Sequence, residues 1–255
     1  MKVFLSAIEN AQASGAKGRS VAELIVEKGI KMKYNLMSFY YMKNKEKLAE
    51  YIRDHTEEIM IDSGAHSFQK GKKVDWDKYT QAYANFIKKF DRDNVVGYFE
   101  MDVDNIIGYE KVLQLRKELE KVSNKIIPVW HKNRGIAEFK KMCQDYKGRV
   151  VAITGFKNED IKDEQYLMFL KYAKAYGCKV HCLGMTRKKV LDKVPFDYVD
   201  SSSWVQSTVF GRAKGKKVSK ETSRYNREAV FIENYKEGLE MQKYYYQKWR
   251  SECQD

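Results

Sequence analysis

The sequence predicts an α/β fold, an eight-stranded (β/α)8 TIM barrel with a basic C-terminal helical extension. Short apolar runs alternate with amphipathic helical patterns eight times along the chain, at spacings of roughly 20–35 residues. This alternation favours parallel strands with right-handed crossovers, and eight such units close a barrel. A length of 255 residues is common for one barrel. An open doubly wound sheet is the alternative, but it usually has a glycine-rich phosphate loop after its first strand, which this sequence lacks.

The expected strands are short apolar runs bounded by turn residues. They lie at residues 3–7, 34–39, 59–62, 95–102, 126–130, 149–155, 179–184 and 196–200. The expected helices lie at residues 20–28, 43–54, 76–90, 109–122, 136–146, 160–176 and 187–193. Ser20 is a predicted N-cap because its hydroxyl can accept a hydrogen bond from the first helical turn.

The chain is expected to form one domain. It contains only two prolines and no linker rich in proline, glycine or serine. Residues 1–209 would form the catalytic barrel, and residues 210–255 a basic loop and a C-terminal helix (residues 229–250) packed on that barrel. The cations of the basic stretch are Arg212, Lys214, Lys216, Lys217, Lys220, Arg224 and Arg227.

The charge of the chain favours a polyanionic partner. Lys and Arg number 48 against 35 Asp and Glu, for a net charge of +13. Nucleic acid fits better than a membrane, because no polybasic amphipathic or lipidation signal accompanies the charge. The alternative is a basic protein without such a partner. No apolar run approaches the roughly 18 residues needed to span a bilayer, and no signal peptide is evident, so we expect a cytoplasmic protein.

The four cysteines are expected to be reduced thiols, as is usual in the cytoplasm. Cys178 and Cys182 flank His181, but no second pair of ligands follows at the spacing of a zinc site. On a strand these two cysteines share one face and His181 lies on the other. We therefore expect no metal site and no cofactor.

The functional site of such a barrel lies at the C-terminal ends of its strands. Three predicted strands end in or just before aspartate, which capping of the following helices explains poorly. Carboxylates gathered at one end of a barrel can bind a metal, exchange protons or attack an electrophilic carbon. The candidates at these ends are Asp62, Asp102, Asp104, Trp130, His131, Thr154, Gly155, Phe156, Gly184, Met185 and Asp200.

Aromatic residues beside glycines suggest that the ligand is flat, such as a nucleobase held between side chains. They are His66, Phe68, Trp130 and Phe156. Ordinary packing in the barrel is the alternative explanation for these residues.

At these strand ends the sequence resembles the tRNA-guanine transglycosylases. The closest resemblance is to their phage and bacterial relatives that insert 7-deazaguanines into DNA, the DpdA-like enzymes. The segments that carry it are Asp62-Ser-Gly-Ala-His66 with Phe68, Met101-Asp102, Thr154-Gly155-Phe156, Cys182-Leu183-Gly184 and Asp197-Tyr-Val-Asp200. Each segment is short, but their order and spacing cover most of the barrel, from strand three to strand eight.

Two departures from the family pattern bear on the substrate. The tRNA enzymes have a Cys-x-Cys-x-x-Cys…His zinc site in a C-terminal subdomain, and nothing in this sequence matches it. Its absence favours DNA over tRNA. The glutamine that recognises the base after strand five is replaced by Trp130, next to His131. The identity of the incoming base is therefore open.

The resemblance implies a base exchange with a covalent intermediate. Asp200 would be the nucleophile that attacks C1′ of a guanine nucleotide, and Asp62 would move the proton on the ring nitrogen. Asp102 would bind the amino-bearing edge of the base. The remaining base-binding residues would be Asp104, His66, Phe68, Trp130, His131, Gly155, Phe156, Gly184 and Met185. The basic stretch would bind phosphates, in a phage-encoded or bacterial protein acting on a base outside the helical stack.

Three alternatives remain open from the sequence. The first is the same exchange on tRNA. The second is a barrel hydrolase of nucleosides or sugars, in which water replaces the incoming base. The third is a barrel that binds nucleic acid without catalysis, against which Asp200 argues because a carboxylate weakens phosphate binding. The sequence does not indicate an oligomeric state.

Overall fold

A computed structural model describes residues 1–9, 20–68, 74–154, 161–213, 216–217 and 227–253, with only the backbone of residues 216–217. Nine parallel strands form one sheet in the order β5-β4-β3-β2-β1-β9-β8-β7-β6. They are β1 (Lys2–Ser6), β2 (Met32–Ser38), β3 (Thr56–Asp62), β4 (Val95–Phe99), β5 (Ile126–Ile127), β6 (Val129–Trp130), β7 (Val150–Thr154), β8 (Lys179–Leu183) and β9 (Tyr198–Ser201).

The barrel closes across Pro128. Strand β5 pairs with β4 and strand β6 pairs with β7, so the two halves of the expected fifth strand form the two edges of the sheet. The proline that separates them has no N–H to donate, but its carbonyl accepts the Ala152 N–H at 2.9 Å. The predicted eight-stranded barrel is therefore confirmed, with its fifth strand in two parts.

Helices surround the barrel on the outside. The described helices are α1 (Val21–Glu27), α2 (Phe39–Met42), α3 (Glu46–Asp54), α4 (Trp76–Phe90), α5 (Asp104–Ile107), α6 (Tyr109–Glu120), α7 (Gly135–Asp145), α8 (Tyr166–Ala175), α9 (Lys188–Leu191), α10 (Ser203–Val209) and α11 (Arg227–Trp249). Ser20 caps α1 as predicted, in a reciprocal arrangement with Glu23. A two-stranded hairpin, β10 (Arg212–Ala213) and β11 (Lys216–Lys217), precedes α11.

Some boundaries differ from the predicted ones for local reasons. Strand β4 ends at Phe99 rather than at residue 102. Glu100 follows it, and its carboxylate is fully buried, accepts the Val129 N–H at 2.7 Å and pairs with Arg116. The Glu100 carboxylate therefore binds the Val129 N–H, which the backbone of a longer β4 would otherwise bind. The helix expected at 43–54 is α3, which begins only at Glu46 after the separate short helix α2, and the helix expected at 160–176 begins only at Tyr166.

Three apolar clusters stabilise this architecture. One fills the barrel, with Phe4, Met60 and Phe99 among its members. The other two lie between strands and helices, one around β1–β5 and one around β6–β9. Cys178 and Cys182 belong to the last of these, whereas the His181 ring contacts Phe4 and Phe99 inside the barrel. The prediction that His181 lies on the opposite face of the strand from Cys178 and Cys182 is thus confirmed.

Helix α11 packs against β1 as the last helix of the barrel. Its Gly238 lies so close to Leu5 that an added Cβ would come within 2.7 Å of Leu5 Cδ1. One turn further on, the buried Gln242 donates to the carbonyls of Val3 and Tyr34 at 2.8 and 2.7 Å. Among the described residues, no helix combines the length and the apolar character that crossing a membrane requires.

Candidate active site

A cavity of about 600 Å³ opens at the C-terminal ends of the strands, which we call the mouth of the barrel. Its charged or titratable lining residues are Glu9, Asp62, His66, Asp102, His131 and Asp200. Its other lining residues are Ser6, Ala7, Leu36, Ser38, Tyr41, Ser67, Phe99, Val129, Thr154, Leu183 and Gly184. A cavity of this size holds a molecule as large as a nucleobase with its sugar.

Asp200 lies on β9 and is bound from three sides. Its Oδ1 accepts the Gly184 N–H at 2.8 Å and lies 3.1 Å from His181 Nε2, and its Oδ2 accepts the Ser6 hydroxyl at 3.0 Å. Burial alone would raise the pKa of this carboxyl, but these donors outweigh it and hold the pKa below its usual range. Asp200 is therefore ionised at neutral pH.

Asp62 ends β3, and its pKa is raised whereas that of Asp200 is lowered. Burial raises its pKa to about 6, with smaller contributions of the same sign from Asp102 and Asp200. Its Oδ2 accepts the Gly64 N–H at 3.1 Å. Gly64 has a φ of 72°, and a Cβ there would lie 2.3 Å from Tyr40 Cβ, so only glycine fits this turn. A carboxyl with such a pKa can exchange a proton near neutral pH.

Glu9 is a buried carboxyl beside Asp62. The chain turns sharply after β1, where Ala7 adopts a φ of 68°, and Glu9 then lines the cavity. Burial raises its pKa to about 7. Its Oε1 accepts the Ser38 N–H at 2.9 Å. Glu9 Oε2 and Ser38 Oγ, both buried, have no hydrogen-bond partner among the described residues.

Asp102 lies between two imidazoles across the cavity. His66 Nε2 is 2.9 Å from Asp102 Oδ2, and His131 Nε2 bonds Oδ1. Burial alone would raise the Asp102 pKa, but the two histidines hold it well below its usual range. Burial alone would lower the His131 pKa, but its bond to Asp102 raises it. Each carboxylate oxygen keeps a lone pair for a further donor.

Asp104 lies behind the cavity wall. Its Oδ2 accepts from Arg134 Nε at 3.1 Å and from Asn133 Nδ2 at 3.3 Å. Ligand atoms of Asp102, Asp104 and His131 lie within 4.8 Å of one another, a spacing that a metal ion can use. A metal there would lie close to the cationic guanidinium of Arg134, which pairs with Asp104, and the present contacts already link these residues in a hydrogen-bonded network.

The cavity is acidic although the protein is basic. Four carboxyl groups and two imidazoles line it, and none of its described lining residues is a lysine or an arginine. The net charge of the whole chain is +13. A neutral or cationic small molecule fits this lining better than a phosphorylated one, whereas cations elsewhere on the surface suit a polyanion.

Four of the predicted base-binding residues lie outside the described lining of the cavity. Trp130 packs on Phe139 and Phe169 in the outer layer and donates from Nε1 to the Gly135 carbonyl. Met185 is buried in the same layer. Phe68 packs among Tyr40, Trp76 and Tyr79, and Asp104 pairs with Arg134. For these four, the expected direct contact with a base is corrected to a role in packing or in support of the cavity.

The other predicted residues divide into two groups. The structure brings Asp62, Asp102, His66, His131, Gly184 and Asp200 to the cavity. Gly155, Phe156, Lys214, Lys220 and Arg224 lie outside the described residues, as do the side chains of Lys216 and Lys217. Arg212 and Arg227 are exposed near the start of α11.

Asp197, the first acid of the Asp-x-x-Asp segment, lies at the opposite end of the barrel. Its Oδ2 accepts the Val180 N–H at 2.8 Å, and its carbonyl accepts the Lys2 N–H. This contact joins the beginnings of β8 and β9. Asp197 therefore stabilises the barrel far from the cavity, and Asp200 alone of the two lines it.

Ser6, Glu9 and His181 belong to the site but were not predicted from the ends of the strands. Ser6 ends β1, whose last residues carry no acid, and Glu9 lies beyond the turn at Ala7. His181 lies in the middle of β8, and only its alternation with Cys182 indicated that it faces the barrel interior. A search for buried polar residues on inward-facing positions would have found it.

No family model and no curated protein matches this sequence. Among solved structures, the chain is similar to the crystal structure of a proposed fructose-1,6-biphosphate aldolase from Coccidioides immitis. The TM-score is 0.55 at 10% identity, over 95% of this chain and 89% of that one. At this identity the likeness shows the barrel fold alone. A barrel whose cavity holds carboxyl groups of both raised and lowered pKa is consistent with an enzyme.

Proposed function

We propose that the protein is a base-exchange glycosyltransferase that replaces guanine in DNA with a 7-deazaguanine through a covalent glycosyl–aspartate intermediate. The observation that carries this proposal is the pairing, in one cavity, of an ionised Asp200 with an Asp62 whose pKa is about 6. One carboxyl suits nucleophilic attack and the other suits proton transfer.

The first half of the reaction would form the intermediate. Asp200 attacks C1′ of the deoxyguanosine, the bond from C1′ to the guanine nitrogen breaks, and Asp62 supplies a proton to the departing guanine. Donors from His181, Gly184 and Ser6 orient the attacking carboxylate. The same donors stabilise that carboxylate when it leaves C1′ in the second half.

The second half would reverse these steps with another base. The ring nitrogen of the 7-deazaguanine attacks C1′, Asp62 takes the proton from that nitrogen, and the ester bond to Asp200 breaks. Asp102 would accept hydrogen bonds from the amino-bearing edge of either base, and His66 and His131 fix its orientation. Because C1′ is shielded in a duplex, the target nucleotide has to leave the stack before it reaches the cavity.

The acidic lining supports a base rather than a sugar phosphate as the small substrate. Phosphate groups are bound in proteins by arginine, lysine or backbone N–H groups, and the described lining has neither of the two cations. Phosphates of the polymer would instead meet Arg212, Arg227 and the other cations of the basic stretch.

A base-exchange assay tests the proposal directly. DNA carrying labelled guanine is incubated with the protein, with and without a 7-deazaguanine, and the released guanine and the modified nucleosides are measured by mass spectrometry. Release that depends on the added base, together with its incorporation into DNA, supports the proposal. Exchange into tRNA alone would move the activity to tRNA, and release without an added base would indicate a hydrolase. Lack of release from either polymer would reject the enzyme class.

A further inference from the structure

Helix α10 connects the candidate nucleophile to an exposed apolar tip. It begins two residues after β9 ends, and its Trp204 donates from Nε1 to the Ser6 carbonyl at 2.9 Å. Ser6 in turn donates its hydroxyl to Asp200. The helix ends at Val209, and Phe210 follows it. Their exposed fractions of 63% and 70% are the highest of the large apolar residues in the described chain.

The base of this tip is firmly anchored. Asn234 of α11 donates from Nδ2 to Thr208 Oγ1 and to the Arg212 carbonyl, both at 2.8 Å. These contacts fix the residues on either side of Val209 and Phe210. Single exposed apolar residues are common on protein surfaces, but two adjacent ones call for an explanation when they stand at the buttressed end of a helix whose first turn contacts the cavity-lining Ser6.

The hairpin that follows the tip points to an anionic ligand. Strands β10 and β11 are antiparallel, and Arg212 lies directly opposite Lys217. Like charges at directly opposed positions destabilise a strand pair, unless an anion lies between or beside them. Arg212 is exposed, and Lys216 is the neighbour of Lys217 on β11. An apolar tip is thus followed at once by a pair of strands that favours phosphate.

We propose that Val209 and Phe210 enter the base stack of duplex DNA next to the target nucleotide, while Arg212 binds an adjacent phosphate. Apolar side chains that enter a base step unstack it and bend the duplex, and aromatic rings stack on exposed bases. The tip would fill the space left by a base that enters the cavity. This inference rests on the proposed function for its choice of DNA, but not on the chemistry at Asp200.

The test uses the full-length protein and duplex DNA that carries 2-aminopurine next to a guanine. The fluorescence of 2-aminopurine rises when this base unstacks. The wild-type protein should raise the fluorescence at saturation, and Phe210→Ala should remove most of that rise. The lost stacking should weaken binding about fivefold or more. Phe210→Trp should preserve both. Tyr244→Ala is the matched control, because Tyr244 is also an exposed aromatic residue but lies in the last part of α11.

A second variant separates stacking from charge. Arg212→Ala should weaken binding and lower its salt dependence, yet leave the fluorescence at saturation unchanged. A wild-type protein that gives no rise, or a Phe210→Ala variant with an undiminished rise, would overturn the inference. The inference would also be overturned if the wild-type protein were a dimer and the Phe210→Ala variant a monomer, because a second copy of the chain would then cover the tip. Base exchange is measured separately, so unstacking without exchange would contradict only the proposed function.

Discussion

His181 Nε2 lies 3.1 Å from Asp200 Oδ1, and the other ring nitrogen of His181 has no hydrogen-bond partner among the described residues. The imidazole is fully buried between aromatic rings of the barrel interior. Because an ionised carboxylate only accepts hydrogen bonds, the proton of this pair belongs on Nε2. The histidine is therefore placed to keep Asp200 ionised and oriented, and its side chain makes no other hydrogen bond to the described residues.

Replacement of His181 by phenylalanine should shift the acid limb of the pH–rate profile. The variant keeps a buried aromatic ring, but Asp200 loses a donor that lowers its pKa, so a higher pH is needed to ionise it. We expect the limb to move upward by about one pH unit. His55→Phe is the control, since His55 is exposed, lies 2.8 Å through Nδ1 from the Tyr51 carbonyl and does not line the cavity. An unchanged limb would show that His181 does not act on Asp200.

Asp200→Asn should abolish exchange and leave the affinity for nucleic acid unchanged or slightly higher. An amide cannot attack C1′, but the change removes one negative charge near the phosphates. Asp197→Asn should retain exchange, because Asp197 lies at the other end of β9 and bonds the Val180 N–H. Turnover and binding are measured for both variants. Near-normal turnover of Asp200→Asn would end the covalent mechanism.

Glu9→Gln should flatten the dependence of stability on pH. The pKa of Glu9 is about 7 in the fold against an ordinary value of 4.5, so the folded state binds more protons between these values. Stability due to this group is therefore complete below about pH 4.5 and declines as pH rises to about 7, by about 3 kcal/mol. Urea unfolding at pH 5 and pH 8 should show a smaller difference in Glu9→Gln than in wild type. Glu57→Gln, on the exposed side of β3, should keep the wild-type difference.

Three acids of the cavity were predictable from the sequence because each lies at or just beyond a strand end. Asp62, Asp102 and Asp200 needed only the count of strands and the rule that barrel sites lie at one end. The orientation of Trp130 was not predictable in the same way. Trp130 and His131 are neighbours, so one had to face the outer layer, and nothing in their residue types decided which. Glu9 escaped because its position depends on the backbone turn at Ala7.

Substitution of Lys214, Lys216 and Lys217 by alanine should raise the KM for the polymer without changing the rate at saturation. If each lysine meets one phosphate, the slope of log affinity against log salt should fall by roughly 0.7–0.9 per lysine. Lys121→Ala is the control, because Lys121 follows α6 and pairs with Glu118. A salt slope that does not change would mean that these lysines face only solvent.

Chelation should leave the exchange activity intact. The predicted absence of zinc rests on the missing Cys-x-Cys-x-x-Cys…His cluster, and the carboxylates of Asp102 and Asp104 already pair with His131 and Arg134. Elemental analysis of the purified protein and assays after treatment with EDTA check this. The opposite result would be stoichiometric metal whose removal stops turnover and which is also lost in the Asp104→Asn variant. It would place an ion among Asp102, Asp104 and His131.

The position of α11 sets the order in which a ribosome-bound chain can finish the barrel. Strand β1 is synthesised long before α11, yet Leu5 and the Val3 carbonyl are covered by Gly238 and Gln242 of that helix. The nascent chain must therefore carry the outer face of β1 uncovered while more than two hundred residues are translated. Because exposed strands and apolar surface promote aggregation, the emerging polypeptide is open to aggregation at β1 until α11 leaves the exit tunnel.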